Sequence, residues 1–301
     1  MTSLKATDVA LEGFRVTREN PRTFLLWCGF SLFVSIMGAA ITIALGDEAR
    51  QAIEVIGDRQ APDLGVLLKA FEELSPLLIM GLVVQCVTVA AVFRIVLRHA
   101  DHGFGYLKFG ADELRLIALT LIYIVLVMLV VTAITFMAGV VALIASVGGP
   151  QFAVLAGLGA EIFFLGLLLF IAVRLSLAPA ITFAEKRIAV FDSWKLTHGM
   201  AWRLGFAYAL SLIYMFIIAL LTLSIFSALV AVFNGGDLAA SGRAMNPDQS
   251  SFAAYFTPLT IISLLVSAPL SALWYAVIAA PAAIAYRELH GPVVDEGTLG
   301  A

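Results

Sequence analysis

The chain has 301 residues, 61% of them hydrophobic and 13% charged, with a formal net charge of -3. Soluble domains hold roughly 45–50% apolar and ~25% charged residues, so this composition excludes an ordinary soluble enzyme, and a total charge so close to neutral gives no basis for a nucleic-acid partner. The two cysteines, Cys28 and Cys86, both lie in apolar runs; they are too few for a disulfide framework or a thiolate metal centre and read as small buried hydrophobes.

In chain order, the segment before residue 23 is amphipathic, and its acids Asp8, Glu12 and Glu19 interrupt any cleavable signal. The first apolar run is therefore expected to remain as an anchor. A helix needs about 20 apolar residues to cross the hydrocarbon core. Runs near 23–45, 76–97, 115–146, 153–183, 204–233 and 258–286 reach that length. The third and fourth are separated only by VGGPQ at 147–151, where Gly-Gly-Pro predicts a tight hairpin turn. The connection over 46–75, rich in Asp and Glu, reads as one or two acidic surface helices rather than a separate domain.

Orientation follows from Lys and Arg in the connections. One side carries twelve: Lys5, Arg15, Arg18, Arg22, Arg98, Lys108, Arg115, Lys186, Arg187, Lys195, Arg203 and Arg287. The other has only Arg50, Arg59, Lys69 and Arg243. Both termini are thus expected in the cytoplasm.

The phrase ALEGFRVTR at 10–18 returns in kind as VFDSWKLTH at 190–198. Ala10 with Phe14, and Val190 with Trp194, fall four residues apart on one helical face, while Arg15 and Lys195 point elsewhere. That is the pattern of a short helix lying in the membrane interface. A weaker copy, YLKFGADELR at 106–115, places Lys108 93 residues after Arg15 and 87 before Lys195. APAITFAE at 178–185 likewise resembles APAAIAYRE at 280–288. The expected fold is all-α: a polytopic membrane helix bundle of six transmembrane helices in three hairpin repeats, each preceded by a short cytoplasmic interfacial helix. The repeats run about 5–98, 99–183 and 184–290 within a single membrane domain, with a short tail over 291–301.

RLSLAPAITFAEKRIAVFDSWKLTHGMAWRLG, 174–205, resembles the membrane-domain family of glycerophosphoryl diester phosphodiesterases and related bacterial inner-membrane proteins. Arg174, Pro179, Ser193, Trp194, Lys195, Leu196, Thr197 and Gly199 carry the resemblance. FGYLKFGADELRLIAL at 104–119 is similar to alphaproteobacterial members. The resemblance implies a place in the membrane and not the catalysis, because the family's soluble barrel, a fold of ~250 residues, has no counterpart here.

Three groups of residues are candidates for chemistry. Glu161 is an acid inside a span, a position that by default asks for a partner or for contact with water. Its nearest cation in sequence, Arg174, is 13 residues on, about 20 Å along a straight helix, and cannot pair with it there. Arg94, Arg98 and Arg174 stand toward the cytoplasmic ends of even spans, either snorkelling to lipid phosphates or lining an anion site for a headgroup or phosphorylated solute. Phe14, Trp194 and Trp202, with Arg15, Lys108, Lys195 and Arg203, are expected as interfacial anchors.

His99 and His102, flanking Asp101, have a metal-like spacing, but the next Gly103 suggests a turn and no second pair follows, so no metal or other cofactor is expected. No hydrolase, P-loop or dinucleotide motif occurs. Two classes of function remain. One is a non-enzymatic protein contacting or organising membrane lipids or a partner membrane protein. The other is a transporter or channel for a small anionic solute or lipid between the repeats, using Glu161, Arg94 and Arg174.

Overall fold

The computed structural model describes residues 6–57, 63–98, 103–245 and 247–290. Lys5, Arg59, the His99–Asp101–His102 cluster and the tail over 291–301 lie outside them. Among the described residues every regular element is a helix.

Six helices of the described chain are long and apolar enough to cross a membrane. They are α2 (Pro21–Leu45), α5 (Ser75–Leu97), α6 (Ala111–Ala145), α7 (Pro150–Leu175), α10 (Ala201–Phe233) and α13 (Pro258–His290). The expected spans fall on them in order. Their starts are locally written: α2, α5 and α7 carry proline at the first or second helical position, where the missing N–H costs nothing. The turn between α6 and α7 closes at Gly149, whose φ of 113° only glycine adopts freely, and Pro150 opens α7. The 46–75 connection forms two helices, α3 (Asp47–Gly57) and α4 (Leu64–Glu73), which bury Ala49, Ala52, Ala70 and Leu74 against each other.

Long-range hydrogen bonds define the two ends of the bundle. At one end, Arg287 near the close of α13 donates to Val96 O at the close of α5 (3.0 Å), and Trp27 early in α2 donates to Gly105 O (2.8 Å). At the other, Arg50 in α3 donates to Gln249 O (2.8 Å). The first end gathers most of the basic residues and is called the basic end below.

The core is off-centre. It centres on the last three turns of α5 and the alanine-rich second half of α13, where Ala276, Ala279, Ala280, Ala282, Ala283 and Ala285 are buried, and takes in Ala180, Ile181 and Phe183, which lie between the two in sequence. Small residues let helices approach closely in an apolar setting. α13 packs against α2, α5 and α10, whereas α6 and α7 pack chiefly on each other. From Leu121 to the hairpin turn and on to Phe170, most side chains of α6 and α7 are exposed. The three hairpins expected as repeats therefore occupy unequal places.

The three copies of the amphipathic phrase also differ. The first is a full helix, α1 (Ala6–Glu19), which buries Val9, Ala10, Glu12, Gly13 and Val16. It docks on α13 and α10, with Ser211 Oγ donating to Ala10 O at 3.1 Å and Phe14 edge-on to Tyr214. The second is one short helix, α9 (Asp192–Leu196), after α8 (Ala178–Glu185). In the third, residues 103–106 form a single tight turn and the helix begins only at Ala111, as α6 itself. Gly105 sits at φ 65° with Leu26 Cβ of α2 3.1 Å from where a methyl would stand, and Gly110 is fully extended, so the helix is interrupted ahead of Ala111. The remaining helices are α11 (Leu238–Met245) and α12 (Phe252–Tyr255), in the connection between α10 and α13 at the end opposite the basic one.

Candidate functional site

Two cavities lie one above the other along the bundle. The inner one, about 450 Å³, is lined by six helices: Gln85, Cys86, Val89 and Phe93 of α5; Leu116, Leu119, Thr120 and Tyr123 of α6; Leu169, Ala172 and Val173 of α7; Pro179 of α8, with Ser176 just before it; Tyr208, Ser211 and Leu212 of α10; and Val277, Ile278, Ala279 and Ala282 of α13. Its walls are overwhelmingly apolar. Among the described residues no lysine, arginine, aspartate or glutamate lines it.

The second cavity, about 430 Å³, lies toward the basic end and is built from charge. Arg94, Arg98, Lys108, Arg115 and Lys186 line it with Asp112 and Glu113. The shared helices set the stacking. Phe93 faces the apolar cavity and Arg94 the charged one on α5, while Leu116 and Glu113, one turn apart on α6, do the same.

Arg94 and Glu113 form the floor between them. Arg94 is 6% exposed and Glu113 fully buried, and the two form an ion pair. The other Glu113 oxygen accepts from Gly110 N (2.8 Å), capping the start of α6, and Arg94 also donates to Tyr106 O (2.9 Å). The turn held this way is strained, with Phe104 at φ 36° and Tyr106 at φ 62°; such angles persist where surrounding contacts over-determine them. Trp27 and Arg94 supply those contacts by taking the carbonyls of Gly105 and Tyr106.

Arg98 binds Asp112 (3.1 Å) and donates to Phe183 O (2.8 Å), with its guanidinium 4.6 Å from the Phe183 ring centroid. Arg115 takes the other Asp112 oxygen (2.7 Å). Neither Arg94 nor Arg98 extends freely toward lipid, and both are part of the packed interior. Asp112 and Glu113 carry this arrangement, and sequence reasoning missed them. The available signal was a pair of acids in the first turn of a span, with an arginine three residues after the first of them.

Arg174 does something else. Pro179 has no N–H to offer the carbonyl four residues back, and Tyr123 donates its hydroxyl to that atom, Leu175 O, at 3.0 Å. Across the resulting break between α7 and α8, Ser193 Oγ donates to Arg174 O (2.6 Å) and accepts from Leu177 N (3.1 Å), and Thr197 Oγ1 lies 3.2 Å from the same carbonyl. The Arg174 side chain donates to Trp194 O (3.2 Å) and lies 5.0 Å from the Trp194 ring and 5.5 Å from that of Phe170. The Ser-Trp-Lys-Leu-Thr phrase is thus a clasp over a broken helix. Lys195 and Arg203 remain exposed, and Trp202 is 89% exposed.

Glu161 joins neither cavity. It is exposed on α7, eleven residues after Pro150 and fourteen before Leu175, so it sits about 16 Å from one helix end and 21 Å from the other. It is therefore closer to mid-helix than to the water at the outer end. Arg15 binds Glu12 (3.0 Å) and Glu19 (3.7 Å) along α1, and Lys108 is exposed. Among the described residues no three His, Cys, Asp or Glu side chains are grouped to hold a metal.

The chain matches no family model, and no curated protein or solved structure matches it.

Proposed function

We propose that this chain is a non-enzymatic, multi-pass protein of a bacterial inner membrane that holds membrane lipid, with the basic end and both termini in the cytoplasm. The observation that carries this reading is the apolar cavity of about 450 Å³ set among membrane-length helices. Its size falls in the roughly 300–1,000 Å³ range of small-molecule sites, and its walls offer an acyl chain what the bilayer offers. The excess of Lys and Arg at one end supports the orientation, and the clasp around Arg174 accounts for the residues that resemble the phosphodiesterase membrane domains without any catalytic group.

Transport of an anionic solute draws less support. Such a path needs Glu161, Arg94 and Arg174 to converge, yet none of the three lines the cavity. A second reading, association with a partner membrane protein, draws on Glu161 itself. A carboxylate exposed near mid-helix costs several kcal/mol in lipid (roughly 2.5–3.5 at a helix centre), and a basic group on a neighbouring helix would offset that.

Native mass spectrometry of protein released from mild detergent tests the main reading. The wild type is expected to carry a discrete lipid mass, and Ala172→Phe, which projects a ring into the cavity, to lose it. A bare protein in both cases would sink the proposal.

A further inference from the structure

The apolar cavity holds one polar group that the fold leaves unused. The other polar groups of its walls are committed within the protein: Thr120 donates to Leu116 O (2.8 Å), Tyr123 to Leu175 O (3.0 Å), Ser176 to Val173 O (2.8 Å) and Ser211 to Ala10 O (3.1 Å). Tyr208 is hydrogen-bonded to Ser176, and Cys86 Sγ lies 3.8 Å from Thr120 Oγ1. Gln85 lines the same cavity, and among the described residues its amide makes no hydrogen bond. It stands in the middle of α5, ten residues from Ser75 and twelve from Leu97, so about 15 Å and about 18 Å separate it from the two helix ends. A glutamine side chain does not reach water across that distance. Gln85 is exposed, so lipid rather than protein borders it, and a donor and acceptor without partners are costly in hydrocarbon.

We propose that the lipid held in this cavity is an uncharged one, with a hydroxyl or carbonyl group hydrogen-bonded to Gln85 and its hydrocarbon chain against the apolar walls; this rests on the lipid-holding reading above and names the class of lipid. Two constraints select it. A charged head brought to Gln85 would lie unpaired in a low dielectric, because among the described residues no lysine, arginine, aspartate or glutamate lines the cavity. A phospholipid that keeps its head at the surface leaves its ester carbonyls near the edge of a hydrocarbon core about 30 Å thick, far from mid-span. A lipid without a charged head has no such tether and can place its polar group at the depth of Gln85. The primary amide both donates and accepts, so it serves a hydroxyl and a carbonyl alike. Two lipid types share this chemistry: a diacylglycerol, through its free hydroxyl, and a long-chain quinone, through its ring carbonyls.

The test uses the full chain in nanodiscs of dioleoylphosphatidylcholine with a minor fraction of dioleoylglycerol or, separately, of a benzoquinone with a decyl tail. The lipid retained on release is weighed by native mass spectrometry. Phosphatidylcholine carries the same two chains as the glyceride, so a preference between them reads the head alone. Gln85→Leu keeps the bulk of the side chain and removes both its donor and its acceptor. It is expected to weaken retention of the uncharged lipid about fivefold, the worth of one hydrogen bond. Because the fold makes no use of the amide, this variant is expected to melt no lower than the wild type when no uncharged lipid is added.

Preferential retention of dioleoylglycerol, weakened in Gln85→Leu and lost in Ala172→Phe, assigns the site to a glyceride. The same pattern with the quinone assigns it to that class. Retention of phosphatidylcholine in place of either, or equal retention of the uncharged lipid by wild type and Gln85→Leu, overturns the assignment and leaves the lipid-holding reading standing. Retention of no lipid at all overturns both. A Gln85→Leu protein that melts well below the wild type without added lipid also overturns the assignment, since the amide would then serve the fold.

Discussion

Arg94 on α5 and Glu113 on α6, nineteen positions apart, meet as a buried ion pair that also caps α6 and holds the carbonyl of Tyr106. One interaction thus fixes the distance between two long helices, the start of one of them and a strained turn. Removing one partner of a buried pair strands the other charge, at a cost of about 3–5 kcal/mol. Arg94→Ala is expected to lose that much, and Arg94→Met with Glu113→Leu substantially less. A thiol-reactive dye that reports exposure of the buried Cys86 on heating reads the difference.

The docking of α1 depends on Gly13. A methyl at that position would lie 2.5 Å from Val277 Cα, so backbone meets backbone and no rotamer change relieves the clash. Gly13→Ala is expected to lift the middle of α1 from α13. Faster hydrogen exchange confined to residues 6–19 would show it, and exchange equal to wild type would contradict it.

Glu12, on the buried face of α1, gives that docking a pH dependence. Burial raises its carboxyl above the ordinary 4.5, and Arg15 and then Arg287 pull it back only in part, with Glu19 adding to the rise. A carboxyl with a raised folded-state value binds its proton more tightly when docked. Docking is therefore strongest below 4.5 and weakens as pH rises through the raised value. Hydrogen exchange in α1 followed from about pH 4 to about pH 7, corrected for intrinsic rates, should show the decline, and Glu12→Gln should flatten it.

Glu161 supports neither cavity nor the packed core of its own chain. Glu161→Gln is expected to leave the fold intact and to relieve part of the roughly 2.5–3.5 kcal/mol cost of a carboxylate in lipid. Uptake of anionic solutes into reconstituted vesicles is expected to be equal for the two proteins. A variant that folds normally but abolishes a wild-type flux would revive the transport reading.

The spans were legible because each is a local property. The apolar run that begins near Thr23 stands out against the charged residues before it, and Pro21, Pro76 and Pro150 mark where helices open. The paired helices over 46–75 and the Gly149–Pro150 turn follow from composition in the same way. The amphipathic phrase misled in part. Three similar strings became a helix, a single turn and a strained loop, because the outcome rested on what each string packs against: α13 for Gly13, the α7–α8 break for Ser193, and Trp27 and Arg94 for Gly105 and Tyr106. Arg98 and Arg94 were found as candidates, while Asp112 and Glu113 were not, since nothing in a sequence tells which acids at a span's start turn inward.

Hydrophobicity, proline and glycine act within a few residues of where they stand, and so an all-helical chain with six membrane-length helices and their connections could be read from residue order. Packing in three dimensions was needed to make α5 and α13 the centre of the core, to open an apolar cavity among six helices, and to bring five cations and two acids from α5, α6, the segments flanking them and the end of α8 into one pocket. Cavities and buried ion pairs are made by residues far apart in the chain. Their energies depend on distance and on exclusion of water, and both exist only once the helices have packed.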